Sequence, residues 1–133
     1  MYLSRKCDEM VTLLKADTAL QDCCIIKAFP YAKKPTRLQK IIIAVTPAAL
    51  EGRATALGED RYIGEYGISV CLYIPQSFGS PVAFHTAETV VNAVTALSPV
   101  GIKLGSMESR ERLDCFLLEC TFTFCGEIRF EEA

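Results

Sequence analysis

The sequence predicts an α+β domain in which an antiparallel or mixed sheet of about four to five strands carries two helices on one face. Three observations predict it. Tyr62, Tyr66, Ile68, Val70, Leu72 and Ile74 share one parity, the two-residue period of a strand. Residues 112 to 128, "RLDCFLLECTFTFCGEI", form a second long alternating run. Only two segments place apolar side chains at helical spacing, one near the start and one after residue 80. Strands therefore outnumber helices, and two apolar helix stripes suffice to cover one side of a sheet.

In chain order, Leu3, Cys7, Met10, Val11 and Leu14 recur at helical spacing, with Lys6, Asp8, Glu9 and Lys15 opposite. This is an amphipathic first helix. "CCIIKAFPYA" at 23 to 32 is short, β-branched and aromatic and is stopped by Pro30 and Pro35, which predicts a short edge strand or an extended linker. "RLQKIIIAVTP" rises into Ile41, Ile42, Ile43, Ala44 and Val45, apolar on both faces, a central strand that Pro47 is expected to end. "AALEGRATALGEDR" at 48 to 61 has no sustained period and is read as a long, mobile loop with room for a helical turn.

The strand from Tyr62 stops at Pro75, and "QSFGSP" turns into the second helix with Ser80 as N-cap and Pro81 at the first helical position. Phe84, Ala87, Val91, Val94 and Leu97 mark its core face, ended by Ser98 and Pro99. "GIKLGSMES" and the run from Arg112 then close the chain as an antiparallel hairpin. The 133 residues read as one domain, 1–133.

Half the residues are apolar, 23% are charged and the net charge is −2, without the basic excess of a nucleic-acid binder. "MYLSRKCDEMVTLLKAD" carries charges where a signal peptide needs an apolar core. Apolar runs such as "IIIAV" fall far short of the roughly 20 residues that cross a bilayer, so no membrane association is expected. A cytoplasmic protein is expected, and the odd count of seven cysteines reads as reduced thiols packed as small hydrophobes.

Candidate chemistry is sparse. Cys115, Cys120 and Cys125 lie five residues apart, so along a strand the middle thiol faces away from the other two across roughly 33 Å. A zinc ion with bonds of about 2.3 Å to sulfur cannot collect them. The spacing instead marks a strand with Phe116, Leu118, Cys120, Phe122 and Phe124 on a core face and Cys115, Glu119, Thr121, Thr123 and Cys125 on a half-polar one, which is either solvated or covers a neighbouring subunit. Leu117 is the apolar exception on that second face. Adjacent Cys23 and Cys24 suggest packed or exposed thiols, since the chain has no C-x-x-C pair.

His85, the single histidine, pairs with Glu88 at i, i+3, but two groups without a further ligand or nucleophile make no site. Gly64 and Gly67 belong to no phosphate-binding motif and mark a bulge or a close backbone approach. Lys33, Lys34, Arg37 and Lys40 form a basic stretch beside Tyr31, read as a solvated loop whose contact with DNA would be non-specific and through phosphates. No catalytic, metal or cofactor residues are assigned, and no enzyme is expected.

The sequence "KPTRLQKIIIAVTP", the charged stretch 48 to 61, "YGISVCLYIPQSFG", the helix through "TAETVVNAVTAL" and a final hairpin ending "TFTFCGEI" follow one another in an order that resembles the tail-terminator, or tail-completion, proteins of long-tailed bacteriophages and prophages. The resemblance covers nearly the full chain and rests on element order and length. It implies a structural virion protein forming a homo-oligomeric ring, commonly a hexamer, that caps the tail tube and joins it to the head. Its partners would be the tube protein and head-tail connector proteins, in the bacterial cytoplasm during assembly and in the virion tail afterwards. A head-tail connector or neck protein is the neighbouring alternative, and a small cytoplasmic enzyme or ligand-binding domain is the alternative from another class. Rings need two different patches per subunit. The expected interface is Leu50, Glu51, Arg53, Glu59, Asp60 and Arg61 in the loop, with Glu119, Thr121 and Thr123 on the half-polar strand face.

Overall fold

The computed structural model describes residues 2–27, 40–54, 61–110 and 114–129. The elements are α1 (Tyr2–Lys15), β1 (Cys24–Lys27), β2 (Ile42–Ala54), β3 (Arg61–Pro75), α2 (Ser80–Val94), β4 (Gly101–Leu104), β5 (Glu108–Arg110) and β6 (Cys115–Arg129). They form a mixed six-stranded sheet in the order β1-β2-β3-β6-β4, with β5 beside β4 on the same edge of β6. The α+β class is as the residue pattern predicts. β1 is an edge strand within the stretch 23 to 32 read as a short edge strand or linker, of which 28–32 lie outside the described residues, and it pairs parallel with β2, whereas every other pairing is antiparallel.

Both helices pack on one face, because the even positions of β3 and β6 offer them a continuous apolar floor. Ile68, Val70, Leu72 and Ile74 meet Leu118, Cys120 and Phe122 there, with Ile43 and Val45 from β2, all buried. α1 adds Cys7, Met10 and Leu14; α2 adds Ala83, Ala87, Val90 and Val94. An ion pair of 2.9 Å from Lys27 to Asp8, and a 3.0 Å bond that Lys27 donates to Ser4, tie the first helix to the edge strand.

Three expectations need correction. Pro47 does not end β2, which runs on to Ala54 with a register shift between Pro47 and Ala49. A bulge tolerates a residue without an N–H, so the ladder to β3 resumes beyond it. Gly67 lies opposite that bulge, the first of the two readings given to it; a Cβ there would meet the Ala48 Cβ at 3.4 Å, an ordinary contact, so no close backbone approach requires the glycine.

In consequence residues 48 to 54 are strand and not loop; residues 55–60 lie outside the described part. Periodicity missed this strand because its ladder to β3 is made by the backbone, which leaves no trace in the order of side chains. Lastly, Ser80 is inside α2 and Gly79 takes the N-cap position with φ 86°, while the helix buries Ala83, Thr86, Ala87, Val90 and Val94. Relative to the expected face the helix is rotated, leaving Phe84 47% exposed and Leu97, past its end, 40% exposed. Small side chains toward the sheet let the helix sit close, which turns the bulky ring outward.

Candidate subunit interface

The odd positions of β3 and β6 build the sheet's second face, which no described helix covers. Register aligns its side chains in rows. One row is Lys103, Thr121, Ser69 and Thr46; beside it run Glu119, Cys71, Ala44 and Ile26, then Leu117, Tyr73, Ile42 and Cys24. The first row is hydroxylic, the third apolar, and the middle one mixes both. Ser69 is only 6% exposed and its hydroxyl lies 3.4 Å from that of Thr121, so the hydroxyl row is partly self-satisfied.

Cys71 donates its thiol to the Glu119 carboxylate at 3.5 Å. Burial, then the Glu119 charge and that bond, push its pKa up from 9.0 to about 12. Burial and Glu119 also push buried Cys120, on the other face, up to about 11. Both thiols therefore stay protonated, poor nucleophiles and poor ligands at neutral pH. Cys115 and Cys120 are buried and Cys125 is exposed, with Cys120 on the opposite face, as the spacing predicts. Among the described residues no group of three or more histidine, cysteine or acidic side chains could hold a metal, and no described helix is long and apolar enough to cross a membrane.

The predicted interface residues come together in part. Glu119, Thr121 and Thr123 lie on the uncovered face opposite Cys71, Ser69 and Gly67. Leu50, Glu51 and Arg53 belong to β2, in register with Tyr66, Glu65 and Ile63, and Arg61 opens β3 opposite Arg129. All seven therefore belong to one sheet. Glu59 and Asp60 lie outside the described residues, as do Lys33, Lys34 and Arg37; Lys40 is exposed just before β2. His85 and Glu88 are both exposed on α2.

Sequence reasoning missed a half-open slot where the helical layer ends. Tyr66 and Phe124 stack there with ring centroids 5.2 Å apart and planes at 22°. Ile68 and Leu97 continue the apolar wall, and Lys6 and Glu9, paired at 3.4 Å, bring charge to it. Its signal in the sequence was Tyr66, whose parity places an aromatic ring on the helix side of β3.

No family model matches the sequence, and no curated protein matches it. Among solved structures, one chain whose name carries no function aligns over 99% of this chain and 91% of its own, at 18% identity and a TM-score of 0.46. A likeness of that degree carries no argument about function.

Proposed function

We propose that this chain is a structural subunit that assembles into a closed ring of identical copies, in the manner of a phage tail terminator that caps a tail tube and joins it to the head. The observation that carries this is the one-sidedness of the sheet. Helices cover one face, while the other presents mixed rows from Cys24 to Lys103 that suit neither a dry core nor a wholly solvated surface. β2, β3 and β6 have 13, 15 and 15 residues, so at about 3.4 Å each they outrun helices of 14 and 15 residues at about 1.5 Å each. The overhang offers a second surface distinct from the first, which a heterologous contact needs. The tube protein and a connector would then meet the two rims of the ring.

Light scattering across a concentration series, with negative-stain electron microscopy of the assembled fraction, tests the proposal. Concentration-dependent rings are expected. A monomer at every concentration would refute it.

A further inference from the structure

We propose that the outer edge of β4 binds an extended segment of another protein by strand addition, and that this segment carries an acidic residue between two apolar ones. β4 is the end strand of the described sheet beyond β6. Gly105 donates its N–H to the Glu119 carbonyl at 2.9 Å, and Leu104 stands opposite Cys120. In an antiparallel ladder such bonded pairs alternate with pairs that turn their backbone groups away, so the N–H and C=O of Ile102 and of Leu104 point out of the sheet. These groups are the template on which an added strand forms.

The same two residues expose their side chains. Ile102 is 47% and Leu104 45% exposed, although their partners Phe122 and Cys120 place both on the side of the sheet that carries the helices. The described helical layer therefore stops short of this edge, and an added strand with apolar residues at matching positions covers both. Lys103 lies between them on the opposite side and is exposed, and among the described residues no carboxylate pairs with its ammonium. An acid facing it on the incoming strand supplies that pair.

Lys103 also selects against a second copy of this chain. The antiparallel register that joins the outward groups of two β4 strands sets Ile102 against Leu104 and Lys103 against Lys103, and like charges directly opposite oppose pairing. Lysines on edge strands guard natural sheets in this way. β1, at the other end of the sheet, offers no acid within Cys24–Lys27, and its Lys27 is held by Asp8. The occupant that fits both backbone and charge is an apolar–acidic–apolar segment of a different protein, and this contact does not rest on the ring assembly proposed above.

Methyl and amide NMR of the isotope-labelled full chain tests it, with the synthetic peptide Ac-STVEVTS-amide as probe and Ac-STVKVTS-amide as control. The acidic peptide is expected to shift the Ile102 and Leu104 signals and to bind at least about fivefold tighter than the lysine peptide. Lys103→Glu is expected to invert that order, and Lys103→Gln to abolish the difference should the charge reversal disturb the fold. If neither peptide shifts Ile102 and Leu104 at about 10 mM, where a Kd of about 1 mM is resolved, the proposal is refuted and Lys103 is an edge guard alone. Equal affinity for the two peptides, or an order that the Lys103 variants leave unchanged, refutes it as well.

Discussion

At the scale of single residues, the Cys71–Glu119 pair predicts an alkaline weakness. A thiol whose pKa is raised on folding holds its proton in the native state at pH values where the unfolded chain has lost it. Stability is therefore unaffected below about pH 9 and falls as pH rises from 9 toward 12. Cys71→Ala should flatten that decline in urea titrations at pH 7 and pH 10, although Cys120 keeps a share of it. At neutral pH a thiol-alkylating reagent should label exposed Cys125 well before Cys71 or Cys120. Phe122, fully buried, is the largest such side chain in the core, and Phe122→Ala should cost about 3–5 kcal/mol by urea denaturation. His85→Ala should fold and assemble unchanged, since the ring is exposed on α2. The cysteine parity was legible in the sequence because five residues is an odd step along a strand. Cys71–Glu119 was not, because it joins positions 48 apart and needs the β3–β6 register.

At the scale of elements, the turn from β3 into α2 separates two side chains that the sequence ranks the wrong way round. Ser80 looks like the cap, yet Gly79 holds it at φ 86° and ψ 156°, a conformation open almost only to glycine. Gly79→Ala should therefore destabilise the fold by about 1–3 kcal/mol, while Ser80→Ala should change it by a few tenths at most, both measured as urea midpoints. Strands backed by a helix announced themselves through alternation, as β3 and β6 did. The outer half of β2 did not, because the backbone ladder that holds it leaves no periodic trace in side chains. The same reason hid the rotation of α2: Phe84 and Val91 fit a helical stripe as well as Ala83 and Val90 do, and only packing distance to the sheet favours the small residues. Deleting residues 50 to 59 thus removes paired strand along with the residues that follow it, and a lower assembled mass by light scattering is the expected result.

At the scale of the whole molecule, the uncovered face predicts that a charge reversal there opposes assembly without unfolding the chain. Glu119→Lys combined with Thr123→Arg should shift the assembly midpoint to at least about tenfold higher concentration, equivalent to about 1.4 kcal/mol, with an unchanged thermal transition at low concentration. The fold class was legible because two helix stripes and two long strands leave few ways to build a core. Which face the described helices leave open was legible only as a parity, since the sequence does not say which side the helices choose. The overhang of the long strands has a further consequence for hydrogen exchange. Beyond Tyr66 no described helix backs the ribbon of β2, β3 and β6, yet β3 is paired on both sides from Tyr62 to Tyr73. Amides in the outer part of β2 and β6 should exchange quickly, those of β3 between them more slowly, and the helix-backed stretch from Ile68 to Ile74 last of all. Assembly that covers the ribbon would collapse this gradient, so the difference in protection between outer β2 and inner β3 serves as a label-free clock for ring closure.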